Sequence, residues 1–228
     1  HVDETNTLKV VLESFYPNAE IHYTTNGSVP TVESAIYNQP FALSGEMDVK
    51  AAAFKDGKML GKVSGKKLYG NLISGKSFTV TPPIGAAKGD IFGENDVLGT
   101  DISTFGLTNG KRGNIASMTP WSGFRMNDAC NKLVFIVEFE QPTTVSKVVF
   151  GSLYNPASVI LPPSVATVET SSDGRKYDKM AEASFKRNYP ERGRKAFTDT
   201  LGFAPKEVKY IKITLQNGGT LRNGICLL

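Results

Sequence analysis

Apolar and polar residues alternate along this chain in short runs, and glycine, proline or an Asn-Gly or Asp-Gly pair closes run after run. Leu8, Val10 and Leu12 keep this period of two, as do Ile21 with Tyr23 and Val49 with Ala51 and Ala53. Such spacing places each set on one face of a strand. No stretch sustains the 3.6-residue periodicity of a helix that could cover a parallel sheet. With 22 glycines and 12 prolines in 228 residues, the turns needed by many short strands are present. The expected class is all-β.

Turn chemistry divides the chain. Asn26-Gly27 and Asp56-Gly57 tolerate positive φ, and Pro30 and Pro40 cannot sit in central strands. A last strand over 62–69 completes a first domain, residues 1–74, expected to be a small immunoglobulin-like β-sandwich with a thin core. Gly, Asn and Ser cluster over 70–76 and read as a linker. The second domain, 75–228, has longer strand candidates. The run 133–139 is apolar enough to be covered on both faces, whereas 145–153, 164–170, 180–185 and 208–215 alternate more cleanly. Ser172-Asp173-Gly174 and Gln216-Asn217-Gly218-Gly219 mark turns between them. A second β-sandwich follows, with aromatic, Asn and Arg residues gathered in its loops.

Several function classes are excluded or disfavoured by what is missing. No run approaches the roughly 18 consecutive apolar residues of a membrane span. The chain opens at His1 with neither a methionine nor a signal-like stretch, as expected of a mature or excised piece. The net charge of +4 is too small to imply nucleic acid. Residues 1–76 carry eight Lys and Arg against eight Asp and Glu, so the whole excess lies beyond them. Histidine occurs only at His1 and His22, and His22, out of phase with Ile21 and Tyr23, reads as a strand-surface residue. A Ser/His/Asp or Cys/His arrangement has little to draw on. Phosphate-cradling, dinucleotide and paired-cysteine zinc motifs are missing. Cys130 and Cys226 read as buried thiols; if they pair, so long a loop contributes roughly 4 to 5 kcal/mol in the chain-entropy model. The one adjacent acidic pair, Asp3-Glu4, lies where nothing could desolvate it. Asp90, Glu94, Asp96 and Asp101 suggest an exposed acidic loop or a cation contact.

Recognition residues are better represented. Within 117–127 lie the only tryptophan, Trp121, and Phe124, Arg125 and Asn127, in a stretch made irregular by Pro120 and Gly123. A sugar offers C–H groups on one face and hydroxyls at its rim, so a sugar site needs a flat aromatic beside polar side chains. Trp121 could equally close the open end of the sandwich as core, and so could Phe124. Tyr154 and Asn155, just after a strand, and Tyr189 in a later loop extend the candidate carbohydrate-binding set. Over 175–195, eight cations (Arg175, Lys176, Lys179, Lys186, Arg187, Arg192, Arg194, Lys195) face three acids (Asp178, Glu182, Glu191), an excess of five. That stretch is either a solvated face or a site for anionic polymer.

These residues carry two resemblances. Ile21 through Thr31, then Ser34, Tyr37, Pro40-Phe41 and Val49-Lys50-Ala51-Ala52-Ala53-Phe54, resemble the carboxy-terminal β-sandwich that follows the catalytic barrel of chitobiases and β-N-acetylhexosaminidases, with Asn26 where the family usually has Asp. The second segment resembles a discoidin domain, the factor V/VIII type C jelly roll related to family-32 carbohydrate-binding modules. Its matching pieces are Leu107-Thr108-Asn109-Gly110, Trp121-Ser122-Gly123-Phe124, the strand 134–139, Leu161-Pro162-Pro163-Ser164-Val165, Thr170-Ser171-Ser172-Asp173-Gly174 and Lys209-Tyr210-Ile211-Lys212-Ile213.

What the resemblance implies is a non-catalytic accessory region of a family-20 glycoside hydrolase. Galactose- or N-acetylglucosamine-containing glycan would be the partner, and the catalytic domain would belong to the same parent chain. It also implies an exported bacterial protein of the periplasm or cell surface. No organic cofactor is expected. A structural calcium of the kind many relatives hold is weakened here by Asn109, where Asp precedes Gly110 in the family, and by a chain that stops near Leu228. The alternatives are two modules that only brace or space the catalytic domain, and binding of anionic polysaccharide by 175–195.

Overall fold

The computed structural model of the chain describes residues 8–76, 78–81, 91–93, 107–108, 110, 112–116, 121–126, 132–216 and 224–227. All its extended sheets are antiparallel, and the one helical turn among these residues is a short 3-10 segment, Pro156–Ser158. No helix among them is long and apolar enough to cross a membrane. The chain forms two compact units, one of His1–Lys76 with Thr108–Lys111, the other of Ser77–Leu107 with Arg112–Leu228.

The first unit contains β1 (Lys9–Val10), β2 (Glu20–Thr24), β3 (Ala35–Ile36), β4 (Phe41–Ala42), β5 (Glu46–Lys55) and β6 (Lys58–Tyr69). β3, β2, β5 and β6 make one sheet in that order, and β1 pairs with β4. Leu8, Val10, Leu43 and Val49 form the buried core, with Leu12, Phe41, Met47 and Leu68 packed around it. Asp56 and Gly57 both adopt positive φ, 51° and 72°, closing the two-residue β5–β6 hairpin as their chemistry predicts. At the other turn, the Asn26 side-chain carbonyl accepts from the Ser28 N–H at 3.0 Å and the Ser28 hydroxyl at 2.7 Å.

His22 corrects the surface reading. Its phase is as expected, since Ile21 and Tyr23 share the other face with Ala53 and Ala51. Yet His22 is buried, because this face is covered too. Its ring meets Phe54 edge-on at 4.8 Å, and Nδ1 lies 3.0 Å from the Ser34 carbonyl.

The second unit contains β7 (Thr79–Thr81), β8 (Ile91–Gly93), β9 (Ser122–Met126), β10 (Lys132–Tyr154), β11 (Val165–Ser171), β12 (Asp178–Ser184), β13 (Lys195–Gln216) and β14 (Gly224–Leu227). One sheet runs β12-β11-β13-β10-β7 and a second β14-β9-β8. Phe124 of the second sheet meets Phe135 of the first at 5.6 Å and 81°, and Phe78 meets Phe135 from another side. These rings fill the sandwich core. Along β10, Leu133, Phe135, Val137 and Phe139 are buried while Val134 and Ile136 are only half-buried, so this strand is fully covered on one face, not on both.

β10 and β13 are longer than the sequence pattern suggests. They pair from Lys132↔Gln216 to Tyr154↔Lys195, with register shifts between Glu138 and Thr143 and between Val145 and Lys147. Pro142 lies within the first shift and Pro205 opposite the second, where a missing N–H costs no ladder bond. The separately expected segments 133–139 and 145–153 are therefore one bent strand.

Candidate functional site

Trp121, expected as the sugar platform, is 3% exposed. It packs with Leu153 and Ile160, and its indole N–H donates to the Asn114 carbonyl at 3.0 Å. Gly113 lies so close beneath the ring that an added Cβ would fall inside it. Phe124 is 1% exposed. Both expectations of sugar contact are corrected by burial, since a ring enclosed by protein offers no face to a pyranose. Asn155 is corrected as well. It is buried, its amide donates to the Ser158 hydroxyl at 3.1 Å, and its backbone exchanges hydrogen bonds with Ile160 at 3.0 Å, so it builds the 155–160 turn. Arg125 lies in β9 opposite Ile225. Asn127 falls outside the described residues, as do Asp90, Glu94, Asp96, Asp101 and Cys130. Among the described residues no three His, Cys, Asp or Glu side chains gather as a metal site.

Tyr154 and Tyr189 are brought together. Their rings stack at 4.4 Å and 22°, although 35 positions separate them in the chain. The register explains how. At this end of the five-stranded sheet, Phe150, Ser152 and Tyr154 on β10 stand opposite Asp199, Phe197 and Lys195 on β13. Alternate residues of one strand share a face, so this set forms a patch on the side opposite Leu153. The segment after β12 lies across the patch with its own alternation: Phe185 meets Phe150 at 6.0 Å, Arg187 meets Asp199, and Tyr189 meets Tyr154 and, edge-on at 6.0 Å, Phe197.

Arg187 fixes this layer. Its guanidinium donates to both Asp199 carboxylate oxygens, at 3.0 and 2.6 Å, and to the Pro163 carbonyl at 3.2 Å. It lies over the rings of Phe185 and Phe197, with centroids at 4.8 and 4.6 Å. The side chains of Arg187 and Asp199 are 5% and 10% exposed, so this charge is spent inside the protein. The Phe185 N–H donates to the Ser164 carbonyl at 2.7 Å and anchors the segment where it begins.

Tyr189 remains 41% exposed. Burial of the rest of the ring raises its phenol pKa, Arg187 opposes that shift, and Tyr154 and Asp199 add to it. Lys195 sits over Phe197 at 5.0 Å. The layer therefore presents an anchored aromatic surface edged by cations, chemistry suited to stacking and hydrogen bonding. Sequence reasoning named Tyr154 and Tyr189 but missed Phe197, Phe185 and the role of Arg187. The alternation of Phe185, Arg187 and Tyr189 was the available signal.

Elsewhere in the basic stretch, both acids of 175–184 are engaged in ion pairs. Lys179 pairs with Glu182 at 3.4 Å, and Asp178 takes Lys206 at 3.1 Å. Arg175 and Lys176 follow a turn in which their backbone N–H groups donate to Asp173 at 2.8 and 3.1 Å, holding that exposed carboxyl below its ordinary pKa.

Residues 10–68 match the model of the family described as Fn3 associated. No curated protein matches the chain. Among solved structures, chitosan-binding module 1 of a chitosanase/glucanase from Paenibacillus sp. IK-5 is similar at 15% identity and TM-score 0.35, covering 69% of this chain and 95% of that one. A pectin-binding carbohydrate-binding module is similar at 13% identity and TM-score 0.34, with 66% and 84% covered. The module CBM32-3 of a family 31 glycoside hydrolase from Clostridium perfringens is similar at 11% and 0.34, with 67% and 87% covered.

Proposed function

We propose that the second unit is a non-catalytic glycan-binding module whose ligand face is the layer built by Tyr154, Tyr189 and Phe197. The observation that carries this reading is the half-open Tyr189 ring, stacked on Tyr154 and borne on a segment anchored by the Arg187–Asp199 pair. A pyranose lays its C–H face on such a ring while nearby polar groups take its hydroxyls. A ring already fixed by its neighbours loses little freedom on binding. A shallow face buries few atoms, so affinity is modest. Its use is to hold a tethered hydrolase near its polymer, raising the effective substrate concentration. The resemblance of both segments to regions found with hexosaminidases motivates a family-20 parent, export to the periplasm or cell surface, and N-acetylglucosamine or galactose among the sugars to test.

Affinity electrophoresis and calorimetry of the full chain against chitooligosaccharides, galactans and acidic polysaccharides test this reading. Binding that Tyr189→Ala weakens about fivefold to tenfold is expected. A bracing role is the second reading, favoured by the burial of Trp121 and Phe124. A folded protein that binds none of these glycans would support bracing and end the glycan reading.

A further inference from the structure

We propose that the sugar taken by the Tyr154–Tyr189 face is acidic, a pyranose carrying a carboxylate or sulfate; this rests on the glycan reading above and names its substrate class. Residues 185–195 contain five cations, Lys186, Arg187, Arg192, Arg194 and Lys195, against one acid, Glu191. Arg187 is removed from that count by Asp199. The other four cations are exposed and belong to the loop that carries Tyr189 or to the first strand residue after it. Two of them are placed by contacts: the Arg194 guanidinium donates to the Ile115 carbonyl at 3.3 Å, and the Lys195 ammonium lies 3.5 Å from the Asn188 carbonyl and over Phe197. The pairs Lys179–Glu182, Lys206–Asp178 and Lys212–Glu169 leave the sheet beyond this loop close to balanced.

The charge excess found in the sequence is thus concentrated beside this partly open aromatic layer. An extended track for a polyanion needs cations spaced along a surface. Cations confined to one loop beside a single open ring fit one or two sugar units instead. The ring takes the C–H face and an exposed Arg or Lys takes the anionic substituent, with Arg able to grip a carboxylate through two N–H groups. Tyr154 already fills one side of the Tyr189 ring, which leaves no slot for an intercalated base.

The test pairs each acidic polymer with a neutral counterpart: polygalacturonate with its methyl ester, and hyaluronan with chitooligosaccharides, with heparin as the sulfated arm. Polyglutamate and single-stranded DNA serve as non-sugar polyanions. Preference for the acidic member of each pair is expected, reduced about threefold by each of Arg192→Gln and Lys195→Gln and weakened by salt, with thermal melts confirming that both exposed-site variants stay folded. Equal, Tyr189-dependent binding of acidic and neutral polymers would overturn the acidic preference and leave the glycan reading standing. Binding of polyglutamate, DNA and heparin alike, insensitive to Tyr189, would overturn both in favour of nonspecific charge. No binding at all would overturn both as well.

Discussion

Arg187 and Asp199, on two segments of the second unit, form a two-pronged ion pair with N–O distances of 3.0 and 2.6 Å, Arg187 standing two residues along the chain from the exposed ring of Tyr189. Removing one partner of a buried pair strands the other charge, which typically costs about 3 to 5 kcal/mol. Arg187→Ala and Asp199→Asn are expected to destabilise by amounts of this order in urea unfolding. Arg187→Lys should recover only part, because an ammonium cannot reproduce the fork. Loss below about 1 kcal/mol would show that the pair is not buried in solution.

Trp121 should behave as core. Trp121→Ala is expected to destabilise by about 3 to 5 kcal/mol. As the only tryptophan, it also provides a direct optical check. Its emission should be blue-shifted relative to the unfolded chain, resist iodide quenching, and stay unchanged when glycan binds. Strong quenching by iodide would return Trp121 to the surface.

Gly113→Ala tests the same packing from below. A methyl group there meets the indole ring directly, and overpacking of this kind typically costs about 1 to 3 kcal/mol. The paired variant Gly113→Ala with Trp121→Phe should cost less than the sum of the two single changes, measured as a double-mutant cycle.

Alkaline titration probes the Tyr189 stack. Its phenol pKa is raised chiefly by burial, so the folded state holds this proton more tightly than the unfolded chain, whose value is about 10. The corresponding stability is fully present below about pH 10 and is lost as pH rises through the folded value. The tyrosinate difference spectrum between the native chain and Tyr189→Phe should therefore develop above the pH of a free phenol. Ionisation at or below that pH would contradict the stack.

The sequence disclosed those parts of the fold whose causes are local. Asp56-Gly57 announces a turn because the residues themselves tolerate left-handed backbone, and the alternation at 164–170 marks a strand wherever its partner lies. Burial is different. Trp121 is covered by Gly113, Leu153 and Ile160, and His22 by Phe54, which is 32 positions away. Alternation tells which residues share a face but not whether something covers that face. The same limit hid the aromatic layer: Tyr154 and Tyr189 could be named as separate loop residues, but only the β10–β13 register brings Phe197 and Asp199 onto the face of Tyr154.

The short return of the chain to its first unit has a consequence for ancestry. The Gly110 carbonyl accepts the Tyr69 N–H at 2.9 Å and the Thr108 carbonyl accepts that of Gly75, also at 2.9 Å. A recombination point anywhere between 77 and 107 would hand a recipient a first unit stripped of these acceptors, and a donor a second unit trailing a fragment of its neighbour. The two halves are therefore not freely exchangeable beads on a string. They form a cassette that is best moved, duplicated or lost as a whole.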